Sequence, residues 1–287
     1  MELQWYPGHM AKTRRLISEN LKLIDVIVEM IDARVPFSGR NPDFDDLLGS
    51  KPRIVIMNKS DLADDSRSAM WQEYYTKQGC KCIYVNSLAG KGTDKIITEA
   101  KAAIADKIEK DESRGLNRSI KLMIVGIPNV GKSSLINRLS GKAGAKTGDR
   151  PGVTKGKQWI RLKSGVELLD TPGILWPKFE NQKIGMKLAF IGSIKDEIID
   201  TEELCMHLLG YLKMNYTENL AARYKLTEDI TQIEDFELLE LIGKKRGFVI
   251  SGGEIDTFRA ANIILDEFRS GKIGKITLET PDDITEE

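Results

Sequence analysis

The amino-acid sequence predicts an α/β fold, a mostly parallel sheet covered by helices on both faces, followed by a small all-helical domain. Three observations carry this expectation. Short apolar runs rich in β-branched residues alternate with helix-length segments across residues 23–169. One of these runs passes through a glycine-rich turn directly into a helix pattern at residues 126–139. After Trp176-Pro177 strand patterns stop and only helical ones continue. The expected domains are therefore 1–177 and 178–287.

Residues 23–31 (LIDVIVEMI), 53–57 (RIVIM) and 82–85 (CIYV) read as buried strands. Helix patterns lie at 66–78 and 93–110. The polar stretch 110–117 (KDESRGLN) joins this block to the next. The second block opens with a strand at 120–125 (IKLMIV), continues with the helix beginning at Lys132, and adds strands at 157–162 and 166–169 around Ser164-Gly165. Such alternation places helices on both faces of a parallel sheet. In the remaining third, 204–213, 236–242 and 257–269 read as helices.

The 287 residues hold 43 basic and 43 acidic side chains, but not evenly. From Lys178 onward there are 14 basic against 22 acidic residues, and before it 29 against 21. A basic front part suits a polyanionic partner, whereas the acidic part is no general nucleic-acid surface. No apolar run approaches the length of about 20 residues that crosses a bilayer. The first residues show no charged-then-apolar secretory pattern, so a cytoplasmic protein without membrane contact is expected. Cys80, Cys82 and Cys205 lack a zinc spacing and are expected to be reduced thiols.

Gly126-Ile-Pro-Asn-Val-Gly131-Lys132-Ser133 fits a phosphate loop, in which glycines let backbone N–H groups surround phosphates at a helix N-terminus. Asn129, Val130, Gly131, Lys132, Ser133 and Ser134 are the candidate contacts, with Lys132 on the β- and γ-phosphates and Ser133 on Mg²⁺. This pattern alone specifies only a nucleoside triphosphate. Asn58-Lys59-Ser60-Asp61, following a strand, specifies the base. A carboxylate at Asp61 accepts from both the N1–H and the exocyclic amine of guanine, a pair adenine lacks. Lys59 would lie along the base and Asn58 would brace the loop. Asp170-Thr171-Pro172-Gly173 offers an aspartate for Mg²⁺ and a Gly173 N–H for the γ-phosphate, and Thr154 is the candidate for a second hydroxyl on the metal. Asn86 and Ser87, with Leu88, form a further candidate contact to guanine. A turn without ligand is the alternative for each of these last three segments.

These are the residues of a Ras-like P-loop GTPase in a circularly permuted order, because the guanine-reading segment precedes the phosphate loop. Domain ends often lie close together, so a permuted chain can keep the fold. The new ends fall after Gly173 and before the first strand, beside the second switch. That order, together with Asp32-Ala33-Arg34-Val35-Pro36, Trp5-Tyr6-Pro7-Gly8-His9-Met10, 126–134, 173–177, 245–247 and 251–253, resembles the ribosome biogenesis GTPase A family of YlqF-type circularly permuted GTPases. The resemblance spans nearly the whole chain. It implies a bacterial cytoplasmic GTP hydrolase with GTP/GDP and Mg²⁺, acting late in assembly of the large ribosomal subunit. It also implies a C-terminal helical domain on ribosomal RNA, and a monomer is expected.

At the position where Ras-type enzymes carry a water-orienting glutamine this chain has Ile174, so a polar group must come from elsewhere. The permutation and the resemblance both point to His9, which as a neutral imidazole can position or deprotonate water. A structural or RNA-facing role for His9 is the alternative. His207 is expected to pack. Asn129 carries the resemblance's association with K⁺ beside the phosphates. Lys12, Arg14 and Arg15, and Lys244, Lys245 and Arg246, are candidate RNA-phosphate contacts or ordinary surface charge. The second function class is a guanine-nucleotide-dependent switch that binds a non-ribosomal protein or RNA.

Overall fold

The computed structural model describes residues 8–116, 118–141, 158–162, 164–175 and 181–286. They form two compact units, one holding 8–175 together with 277–286, the other 181–276. The helical domain expected to run to residue 287 thus ends at Ile276, and the carboxy-terminal segment belongs to the first unit.

The first unit is built on six strands, β1 (Val26–Asp32), β2 (Arg53–Asn58), β3 (Lys81–Val85), β4 (Ile120–Gly126), β5 (Gln158–Arg161) and β6 (Val166–Asp170). Their order is β3-β2-β1-β4-β6-β5, and β5 alone runs antiparallel to its neighbour. Every residue of β1 is buried, as expected for a strand with helices on both faces. Those helices are α1 (Gly8–Asn20), α2 (Asp43–Leu48), α3 (Asp65–Lys77), α4 (Asp94–Ala102), α5 (Ala105–Ser113) and α6 (Lys132–Ser140).

Two expectations are corrected. The first strand starts at Val26 rather than Leu23, because residues 21–23 form a 3₁₀ turn. Asp25, buried before the strand, accepts from the Lys121 N–H at 2.9 Å and pairs with Lys107 and Arg118, which fixes where β1 enters the sheet. The single helix expected over 93–110 is two, because Ile104 leaves the helical region (φ −130°, ψ 26°) with its side chain buried.

Since β1, β2, β3, β4 and β6 are mutually parallel, their carboxyl ends share one edge. Asn58 stands in register with Asp32 on one side and Val85 on the other, and Asp170 faces Ile124. The segments 58–61, 86–88, 126–133 and 170–173 all leave from this edge, where ligands of open α/β sheets bind.

The second unit contains α7 (Gln182–Phe190), α8 (Thr201–Asn215), α9 (Thr217–Tyr224), α10 (Asp235–Lys245) and α11 (Thr257–Arg269). Among its described residues the only β pairing is an isolated bridge, Val249 to Ile255. Asp200 caps α8 by accepting from the Glu202 and Glu203 N–H groups. Leu204, Leu208 and Leu212 of α8, Leu238 and Ile242 of α10, and Ile264 and Phe268 of α11 are buried in its core. His207 is not packed there. Its side chain is 46% exposed, with Glu203 at 3.9 Å.

One buried carboxylate ties three of these helices together. Glu267 of α11 accepts from Arg223 and Tyr224 of α9 and from Arg246 at the end of α10. The Arg223 hydrogen bonds, foremost, hold its carboxyl below the usual range against the opposing effect of burial, with Tyr224 and Arg246 adding to them. A lowered folded-state value stabilises above the unfolded value and is lost as pH falls through the folded one. Glu267→Gln is therefore expected to destabilise at pH 7 by about 1–3 kcal/mol. The deficit should shrink on acidification below pH 4.5, the ordinary value. Urea unfolding of both proteins at pH 7 and pH 4 checks this, and a deficit that does not depend on pH contradicts it.

Candidate functional site

The phosphate-loop segment leaves β4 and turns into α6 through left-handed residues, Asn129 (φ 60°) and Gly131 (φ 96°). This brings α6 to its first residue, Lys132, with Ser133 and Ser134 half-buried on the opening turn. A helix N-terminus preceded by turned backbone N–H groups is an anion site in itself. Lys132 is buried, and its Nζ donates to the carbonyls of Gly126 (3.1 Å) and Ile127 (2.7 Å). Burial pushes its amine down to about 8, with Asp170 opposing.

Asn58 joins this loop to two others. Its Nδ2 donates to the Val130 carbonyl at 2.7 Å, and its Oδ1 accepts from the Ser87 N–H at 3.1 Å and the Ser87 hydroxyl at 2.7 Å. The side chain is buried, so a carboxamide with both a donor and an acceptor end is required. The same contact explains Gly131, where an added Cβ would lie 2.4 Å from Asn58 Nδ2. Ser87 is buried and its N–H is committed to Asn58, so within 86–88 the exposed position is Leu88. The Asn86 carboxamide closes its own turn by accepting from the Ala89 N–H at 2.9 Å.

Lys59 also adopts the left-handed conformation (φ 58°), uncommon for a residue with a side chain. Its Nζ lies 3.0 Å from Asp32 Oδ2. Asp32, fully buried, is gripped at the same time by the Arg34 fork, with Nε at 2.9 Å and Nη2 at 2.8 Å. Burial alone would raise the Asp32 carboxyl, but the Arg34 and Lys59 charges outweigh it and hold the group ionised, well below the usual range. Asp61 is exposed at the tip of this loop. The sequence reading missed Asp32 and Arg34 as holders of Lys59, although they stand in the Asp32–Pro36 stretch it singled out.

Asp170 ends β6, next to the phosphate-loop strand. It is buried, and its Oδ1 has no hydrogen-bond partner among the described residues. Burial pushes its carboxyl up to about 6 against the pull of Lys132. An orphaned, buried carboxylate oxygen beside a lysine is the kind of group a hydrated cation satisfies. Thr171 donates to the Ile124 carbonyl at 2.6 Å and anchors the following turn. Gly173 approaches the phosphate loop so closely that a Cβ would meet the Pro128 Cα at 2.7 Å. Ile174 is buried, and its N–H donates to the Gly126 carbonyl at 3.2 Å.

The segment after Gly173 is linked to the amino-terminal helix. Asn41 Nδ2 donates to the Ile174 carbonyl at 3.3 Å, and its Oδ1 accepts from the Asp43 N–H at 3.0 Å. Asp43, which opens α2, pairs with Arg14 of α1 at 2.5 Å. His9 is the second residue of α1, and its side chain lies outside the described residues. Thr154 lies outside them too. Of the candidate RNA contacts, Arg14, Arg15, Lys245 and Arg246 carry carboxylate partners (Asp43, Glu19, Glu228 and Glu267), and all six except Arg14 are exposed.

Strand order, the loops at one sheet edge and their permuted sequence define the class, a circularly permuted P-loop GTPase. The family model described as 50S ribosome-binding GTPase matches residues 121–247, and the one described as RsgA GTPase matches 49–180. A ribosome biogenesis GTPase A from Bacillus cereus is 47% identical over 100% of this chain and 97% of its own. A GDP-bound YlqF structure (TM-score 0.66) and a GNP-bound YlqF structure from T. maritima (TM-score 0.63) are each 29% identical and cover 94% of this chain. The alignments cover 100% and 99% of those two chains. The chain belongs to the ribosome biogenesis GTPase A family.

Asn58→Asp tests the junction of the three loops. It sets two acceptors face to face at Val130, at a cost of about 1–3 kcal/mol in a buried position. Denaturant unfolding should register that loss, and isothermal titration should show weaker GDP binding. An unchanged GDP affinity would detach Asn58 from the nucleotide site.

Proposed function

We propose that this GTPase docks on the large ribosomal subunit late in its assembly and hydrolyses GTP when docked, as a cytoplasmic monomer. The observation that carries the reading is full-length similarity to ribosome biogenesis GTPase A, helical unit included. Gly131, Lys132, Ser133 and Ser134 bind the phosphates, with Asn129 and Val130 shaping the loop around them. Asp61 reads guanine, Lys59 lies along the base, and Asn58, Asn86 and Ser87 brace the loops beneath it.

Ser133, Asp170 and Thr154 would hold Mg²⁺, which when bound neutralises charge on the phosphates. The orphaned Oδ1 of Asp170 fits that role. Gly173 N–H senses the γ-phosphate. Ile174 is buried and cannot orient water, so the attacking water is positioned from outside this segment. His9 is the residue assigned to it, supported by the link from α1 through Asp43 and Asn41 to the Ile174 carbonyl. Lys12 and Lys244 are the cations best placed for ribosomal RNA. K⁺ beside Asn129 is a further element of the reading.

The test is GTP hydrolysis in potassium and in sodium buffer, with purified large subunits and with small subunits as control. Selective stimulation by the large subunit is expected, larger in potassium. The His9→Ala variant should lose about 10²–10⁴-fold of the stimulated rate while keeping GDP affinity. Stimulation by neither particle would instead favour the second reading, a switch for another protein or RNA.

A further inference from the structure

The carboxy-terminal segment of the chain is buried against the back of the loop that carries Lys59 and Asp61. Thr277, Leu278 and Glu279 are each at most 2% exposed. The Leu278 N–H donates to the Arg34 carbonyl at 2.8 Å. The Glu279 carboxylate accepts from the Phe37 N–H, from the Ser38 N–H at 2.9 Å and from the Ser38 hydroxyl at 2.8 Å. These contacts hold both ends of the 34–38 turn, whose first residue, Arg34, grips Asp32, which in turn holds Lys59.

The same segment grips the other flank of the loop. The Thr277 hydroxyl accepts from the Asp64 N–H at 3.1 Å, three residues beyond Asp61. The Thr277 carbonyl accepts from Arg67 at 2.6 Å, and the Glu279 carbonyl accepts from the fully buried Trp71 indole at 3.1 Å. Asp64 is also the cap of α3, with Oδ1 accepting from the Ser66 and Arg67 N–H groups. The start of α3 and the 34–38 turn thus meet on one short piece of chain.

We propose that residues 277–279 are a strap that sets guanine-nucleotide affinity, with Glu279 as its positioning residue. The proposal rests on reading 58–61 as the guanine loop. Glu279 touches no nucleotide in this scheme. It fixes the 34–38 turn, and through Arg34 and Asp32 it fixes the place of Lys59. Because the strap begins immediately after the last residue of the helical unit, Ile276, it is also a covalent route from that unit to the base-reading loop. By reciprocity of coupled equilibria, nucleotide that is held tighter by a docked strap must itself tighten the strap.

The test uses the full chain. Glu279→Ala leaves buried N–H groups without an acceptor and is expected to raise KM for GTP about tenfold with kcat altered less than about twofold. Glu279→Gln keeps one acceptor oxygen and should recover most of the loss. An unchanged KM overturns the proposal, and a fall in kcat beside it would report only that less protein is folded. Asp61→Ala serves as control. If it leaves KM for GTP unaltered, the guanine-loop reading fails, whereas a large rise in KM with Glu279→Ala silent defeats the strap alone. Should Glu279→Ala not fold, hydrogen exchange in the unmodified protein decides. The Phe37, Ser38 and Leu278 amides must exchange more slowly with GDP bound, and unchanged exchange overturns the proposal.

Discussion

The Asn58 carboxamide donates to the phosphate loop through Val130 while accepting twice from Ser87, so loops from β2, β3 and β4 share one buried side chain. Both ends of the amide are used, and no other residue of similar size offers a donor and an acceptor in that geometry. Gly131 follows from it by sterics, since any side chain there would occupy the place of Nδ2. The register of β2 follows as well, with Asn58 set between Asp32 and Val85. A buried polar network of this kind is stabilising only when every member is satisfied. That condition binds the Asn58 loop, the Ser87 turn and the 126–131 turn into one unit although 72 positions separate Asn58 from Val130.

Permutation leaves this junction intact and changes what hangs from it. In the usual order of such GTPases the segment after the second switch leads on to the strand equivalent to β1, one strand ahead of the guanine-reading one. Here that connection is cut, and the freed positions carry α1 on one side and the helical unit on the other. Asn41 is where the first of these is joined to the switch, one carboxamide spanning the start of α2 and the Ile174 carbonyl. Charge follows the same division. The basic part of the sequence builds the nucleotide unit, and in the acidic helical unit Arg246 is drawn into the Glu267 cluster.

Much of this was legible in the sequence, for identifiable reasons. The sheet was readable because parallel buried strands are near-continuous apolar runs, and β1 is buried at every position. The segments 126–133 and 58–61 and Asp170 stood out because nucleotide chemistry would demand fixed residue types at short spacing, and the structure places all three at one sheet edge. Features that depend on contacts distant in sequence were not. Nothing in the order of residues announces that Asp25 moves the start of β1, or that Ile104 turns inward and splits a helix. The return of 277–286 to the first unit escaped for the same reason, since Glu279 and Ser38 are 241 positions apart. His207 was misjudged because it falls on the solvent face of α8, away from the buried Leu204, Leu208 and Leu212.

The central claim is that the loop at Asn58–Asp61 reads the base of the same nucleotide whose phosphates sit on residues 126–134. The most direct measurement is the base preference of Asp61→Asn. Xanthine carries a carbonyl oxygen where guanine has its exocyclic amine, so a carboxamide at position 61 meets it with a donor, while the acceptor pair that guanine requires is lost. The account predicts that hydrolysis by this variant moves from GTP to XTP, with the preference reversed by about two orders of magnitude or more. Retention of the GTP preference would contradict it and place base recognition elsewhere in the chain.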